Sequence, residues 1–224
     1  MLDNSFFTDV EEEPDSLKTL LEEWIKWSGN PLLTPIDDIK PGYLYEEIKN
    51  GGKTDHGICF VSPSAISKDG RTNNFKKSDE ASEVIACRLS TRKDNNIILM
   101  PYNPSGHWVL AVLDMQTTTC NYLNSLRCLV VDPDLKQLIE AALSLHARQS
   151  GSKKKVKANW INVMHGYTKC GYYVLKFMKE VVGEGLEVLN NNFLSQFWGK
   201  NEYTDVELDR VREEWAIYVI NFLY

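Results

Sequence analysis

The sequence predicts an α+β fold. Three observations carry that expectation: three apolar runs of strand length follow one another between Asn96 and Ser125, segments with helical apolar spacing lie before and after them, and strands and helices do not alternate strictly. Consecutive strands on short turns form an antiparallel meander. We therefore expect a central, mostly antiparallel sheet flanked by helices. A chain of 224 residues, 43% hydrophobic and 25% charged, can bury one core of its own. The expected organisation is an acidic lead-in and helix over residues 1–30, then a single domain over residues 31–224.

The elements follow in order. After the acidic "EEEP", Leu17, Leu20, Leu21, Trp24 and Ile25 share one helical face, and Gly29 and Pro31 end that helix. Pro, Gly and Asn break the chain from 30 to 96, leaving a short strand in "GICFVSP" and a helix near "SDEASEVIACRLS". "NIILMPY" (96–102), "HWVLAVLD" (107–114) and "TCNYLNS" (119–125) are the three meander strands. In "DPDLKQLIEAALSLHARQ", Asp132 is positioned as an N-cap and Pro133 at the first helical position, and Leu135, Leu138, Ile139, Ala142 and Leu143 form the apolar face. "NWINVMH" is a short strand leading to Cys170, after which Val174, Phe177, Met178 and Val181 make a helical stripe that Gly183 and Gly185 stop. Thr204 and Glu207 have capping-box spacing and open a last helix carrying Val211, Trp215, Tyr218, Val219 and Phe222.

Charge and cysteine content exclude several classes. A net charge of -6 supplies no field for attracting phosphate backbones, so no nucleic-acid partner is expected without a local basic patch. The one basic run, "KKKVK" at 153–157, has no interleaved aromatics and reads as a solvated loop, with a localisation signal as the alternative. The N-terminus has neither a basic n-region nor a long apolar stretch, and no segment approaches the roughly 18 apolar residues of a membrane span. Five cysteines without a CxxC pair argue against a disulfide scaffold and a structural zinc site, and His56 with Cys59 is half a metal site at most. We expect a monomeric intracellular protein, nuclear or cytoplasmic, with no membrane partner, metal or cofactor.

Cys170 stands where a thiol would meet a helix N-terminus, one of the two usual means of lowering its pKa. Gly171 leaves room for a substrate backbone to pass the sulfur. The plain alternative is packing, since cysteine is commonly buried and 170, 174, 177 and 181 share a face. His107 opens an apolar strand after the turn "NPSG", which would hold its ring in place and in reach of solvent; His56 and His165 lie in polar turns, and His146 ends a helix. Asn124, at the end of the next strand, can orient an imidazole, although Asn in a turn is common for conformational reasons alone.

Taken together, "PYNPSGHWVLAVLD", "YLNSL" and "GYTKCGYYVLKFMKE" resemble the papain-like cysteine proteases that process and remove SUMO-type ubiquitin-like modifiers, and among them the divergent plant transposon-associated branch. The resemblance runs from about residue 96 to the C-terminus, including "DVELDRVREEWAIYV". It implies a papain-like fold with the nucleophile at a helix N-terminus, and residues 31–224 as one catalytic domain whose motifs lie in 96–224. It further implies Cys170 as nucleophile, His107 as general base, Asn124 as its orienting partner and the backbone N–H of Cys170 in the oxyanion hole. Trp108 would wall the channel for a Gly-Gly tail, or else be an ordinary core residue. The implied reaction is hydrolysis after the C-terminal glycine of a SUMO- or ubiquitin-like modifier. Three departures accompany the match. Asn124 stands where the family usually has Asp, Met164 stands where it usually has the oxyanion-hole Gln, and the aromatic motif expected before the first strands is not evident. Asn162 and His165 are the nearest substitute donors. A second reading is therefore a weakened or inactive member that binds a ubiquitin-like protein or peptide.

Overall fold

The structure is a computed structural model of the chain, and it describes residues 57–66, 75–91, 96–104, 107–125, 130–152, 154–164, 170–187, 189 and 203–223. All lie in the compact unit Pro35–Tyr224. The expected acidic lead-in, the helix around Leu17–Ile25, His56 and His165 fall outside the described residues.

The elements are β1 (Ile58–Phe60), α1 (Pro63–Ile66), α2 (Phe75–Thr91), β2 (Ile97–Tyr102), β3 (Val109–Asp114), β4 (Thr119–Asn124), α3 (Pro133–Gln149), β5 (Asn159–Met164), α4 (Cys170–Glu184) and α5 (Asp205–Leu223). They build an α+β fold around a five-stranded sheet of order β1-β2-β3-β4-β5. The expected meander is its centre: β2 with β3 and β3 with β4 are antiparallel. The outer pairs, β1 with β2 and β4 with β5, are parallel, so the sheet is mixed. Parallel neighbours need a crossover rather than a turn, and α3 supplies it between β4 and β5.

Both faces of the sheet are covered, which explains why its strands read as continuous apolar runs. On one face Val109, Ala111 and Leu113 of β3 join Met100, Tyr102, Cys120 and Tyr122, against Ile85 and Leu89 of α2 and Leu135, Ile139 and Ala142 of α3. Leu110 and Val112 alternate to the other face and are equally buried, where α4 packs on β3 and also meets α5. No helix among the described residues is long and apolar enough to cross a membrane.

Local chemistry sets the element ends. Asp132 Oδ1 accepts from the N–H of Asp134 and of Leu135, so α3 begins at the expected proline. His146 sits in the last turn of α3, its Nδ1 3.2 Å from Ser90 Oγ on α2. Thr204 and Glu207 form the reciprocal cap of α5, with Thr204 N–H on Glu207 Oε2 at 2.8 Å and Glu207 N–H on Thr204 Oγ1 at 3.3 Å. Gly183 does not stop α4; it is an exposed residue inside the helix. Gly185 does, at φ 73°, with its N–H on the carbonyl of Val181. The helix expected near residues 78–90 starts earlier, at Phe75.

Candidate active site

One end of the sheet gathers the residues singled out in the sequence. Asn124 is the last residue of β4 and Met164 the last of β5, and the parallel register pairs them. Val109, the first residue of β3, pairs with Asn124 from the other side. His107 lies two residues before β3, so it precedes the strand rather than opening it, at the end of the sheet's central strand. Cys170 is the first residue of α4, which packs on β3. Three chain segments, separated by 17 residues in the case of His107 and Asn124, thereby converge.

The contacts form a chain. His107 Nε2 lies 2.8 Å from Asn124 Oδ1. An amide oxygen only accepts, so the ring carries its proton on Nε2 and is left with Nδ1 for its other partner. That partner is the Cys170 side chain, which is hydrogen-bonded to the imidazole. Asn124 is 3% exposed, so the pair is screened from water on the amide side. The sulfur also receives the main-chain N–H groups of Trp108 and Gly171. Trp108 itself is 2% exposed, which puts its indole in the core. Its main chain reaches the sulfur, a contribution no residue-type reading could reveal because any residue at 108 carries that N–H.

The electrostatics run in the direction of an ion pair. Burial alone would push the Cys170 thiol up, but the His107 hydrogen bond, the Trp108 N–H, the imidazolium charge and the Gly171 N–H together hold it below the ordinary thiol value. Burial alone would likewise push His107 down, yet its hydrogen bonds to Cys170 and Asn124 and the thiolate charge raise it above the ordinary imidazole value. Lowered thiol and raised imidazole are the two halves of a thiolate–imidazolium pair. Such a pair is a nucleophile and an acid held in contact.

Asn162 lies two residues before Met164 on β5 and pairs with Tyr122, one step along the same face from the Asn124–Met164 pair. Among the described residues no group of three or more His, Cys, Asp or Glu side chains is arranged to hold a metal ion.

Residues 64–218 match the family described as the Ulp1 protease family, C-terminal catalytic domain. The fold and this match define a cysteine protease. The chain belongs to the Ulp1 protease family. Among solved structures it is similar to the SUMO protease Ulp1 with its catalytic cysteine oxidised to a sulfenic acid, at 15% identity over 84% of this chain and 77% of that one, with a TM-score of 0.52. It is also similar to a de-sumoylating protease, at 14% identity over 84% of this chain and 80% of that one, with a TM-score of 0.55. At those identities the likeness is one of fold. No curated protein matches the chain.

Proposed function

We propose that the chain hydrolyses the bond after the C-terminal glycine of a SUMO-type modifier, with Cys170 as nucleophile, His107 as general acid and base, and Asn124 as the residue that orients His107. The observation that carries this reading is the hydrogen-bonded series Cys170, His107, Asn124 at the start of α4, with two main-chain N–H groups on the sulfur. The modifier class is supported by the family and by the SUMO proteases that share the fold. The described part of the chain, within residues 31–224, then acts as one catalytic domain.

The steps use these groups in order. The Cys170 thiolate attacks the glycine carbonyl carbon, and the carbonyl oxygen takes up negative charge that the N–H of Cys170 stabilises at the helix N-terminus. Imidazolium at His107 gives its proton to the leaving amine, and the C–N bond breaks to leave a thioester on Cys170. His107, now neutral, removes a proton from water as it attacks the thioester, and the thiolate leaves with the acid product. Asn124 holds the ring in one tautomer throughout. A glycine at 171 and the segment at Trp108 flank the sulfur, where an extended Gly-Gly tail would have to run.

One observation favours the second reading, a member that binds more than it cleaves. Met164 occupies the position of the usual oxyanion-hole Gln, and a thioether donates no hydrogen bond; loss of one such donor costs about 10²–10³ in rate. Processing of a SUMO-type precursor with a short C-terminal extension separates the two. Wild type releases the extension and Cys170→Ala does not, and Met164→Gln raises kcat. Equal, background-level processing by wild type and Cys170→Ala, with tight binding of the mature modifier, would establish the binding module instead.

A further inference from the structure

The end of the sheet opposite the candidate active site carries an arrangement that the proposed reaction does not use. Strands β4 and β5 run toward Asn124 and Met164, so their starts at Thr119 and Asn159 lie roughly 17 Å away at about 3.3 Å per residue. The segment 154–157 enters β5 at that far end. Lys154, Lys155 and Lys157 are exposed, while Val156 turns inward and packs against the core. Ser144 of α3 fixes this geometry: its Oγ accepts the Val156 N–H at 3.1 Å and donates to the Val156 carbonyl at 3.3 Å. The carbonyl of the same Ser144 accepts Arg148 Nε at 3.3 Å. Arg148, itself exposed, is thus drawn back along α3 to the residue that pins Val156.

Exposed Lys154, Lys155 and Lys157 on the pinned segment, and exposed Arg148 one helical turn beyond Ser144, supply the positive charge here, and among the described residues none of the four forms an ion pair. Two described carboxylates near that end have local partners. Asp114 accepts from Gln116 N–H and Thr117 Oγ1 in the β3–β4 turn, and Glu140 accepts from Trp160 Nε1.

We infer that this surface binds the phosphate backbone of double-stranded nucleic acid without reading sequence, and so anchors the protease with its active site facing away. The composition of the patch selects that partner. Protein interfaces are depleted in lysine and centred on apolar anchors, whereas here the apolar side chain between the lysines, Val156, is turned into the protein. Phosphate contacts need only positive side chains in reach. Among the described residues the indole next along the chain, Trp160, is half-buried and held by Glu140, and so is a poor platform for stacking unpaired bases. A nuclear-import adaptor that reads an extended basic peptide along its main chain would have to break the two Val156–Ser144 hydrogen bonds. The net charge of -6 keeps the binding weak and short in range.

The test is fluorescence anisotropy of a labelled 20-base-pair duplex titrated with the full chain, compared with the variant Arg148→Gln, Lys154→Gln, Lys155→Gln, Lys157→Gln. Three or four phosphate contacts predict that raising salt from 50 to 150 mM weakens binding about 20- to 50-fold, because each contact releases close to one counterion. The variant should lose at least about tenfold in affinity at 50 mM salt while keeping the thermal unfolding midpoint and the processing activity of wild type. Equal affinity of wild type and variant, a salt slope near zero, or binding to a purified import adaptor with no binding to the duplex would each overturn the inference.

Discussion

Asn124 gives His107 a hydrogen-bond acceptor without a charge, and that shifts the burden of stabilising imidazolium onto the thiolate. The raised imidazole and lowered thiol are then two sides of one coupled pair, and they titrate in two steps that belong to the pair. Each shift moves the two ionisations toward each other, so the contact favours the thiolate–imidazolium form over what the separate groups would give. Alkylation of Cys170 by iodoacetamide should therefore begin below the ordinary thiol value of 9.0. His107→Ala leaves burial as the leading influence on the sulfur, so its alkylation should shift to higher pH. Asn124→Asp adds a charge beside the ring, so the upper limb of the pH profile of turnover should move up. An alkylation profile unchanged by His107→Ala would show that the pair does not set the thiolate. Apolar spacing placed Cys170, His107 and Asn124 near a helix start and two strand ends, and only the combined motifs, through the family they resemble, singled them out as a set. The N–H of Trp108 was not, since a main-chain donor leaves no trace in residue type.

The helices show how an element can hold a site from a distance. Tyr203, just before α5, packs its ring on Tyr173 and Phe177 of α4, with centroids 5.3 and 5.6 Å away. Its hydroxyl donates to Glu180 Oε2 at 2.5 Å, Lys176 lies 3.3 Å from Glu180 Oε1, and Lys179 pairs with Glu214 of α5. Burial raises the Glu180 carboxyl above its ordinary value despite the pull of Tyr203 and Lys176. Tyr203→Phe removes one donor from a partly buried carboxylate and should lower unfolding stability by about 1.5 kcal/mol at neutral pH. A carboxyl whose folded pKa is raised contributes stability at low pH that is lost as pH rises through the folded value, and the variant raises that value further. The loss should thus shrink below about pH 4.5, the ordinary carboxyl value, in urea denaturation followed at both pH values. A loss independent of pH would place the effect in ring packing alone. Element ends were less legible than element faces: α2 begins three residues before the sequence suggested, and of two glycines near the end of α4 only Gly185, at a positive φ, ends the helix. Spacing of apolar residues reports a face, while an end depends on which backbone groups find caps.

At the scale of the molecule, the sheet is a device for bringing distant segments to one end. His107 and Cys170 are far apart in sequence, and they meet because β3 is central and α4 lies across its face. The meander was legible because its turns are short and its strands apolar, but the parallel outer strands were not, since β1 has only three residues and apolar spacing does not say which strand β5 pairs with after its helix. The basic segment at 154–157 shows the same limit. Its lysines were visible in sequence, whereas the link that ties the segment to α3 through Ser144 and Val156 was not. We propose Cys170 as the nucleophile for a SUMO-type C-terminal glycine, and covalent capture is the sharpest test of that role. After incubation with a SUMO-type modifier bearing a C-terminal electrophile, intact mass should show one added modifier and peptide mapping should place it on Cys170, with none on Cys170→Ala. A wild-type chain that stays unmodified under conditions that saturate the modifier's binding, or an adduct on another cysteine, would contradict it.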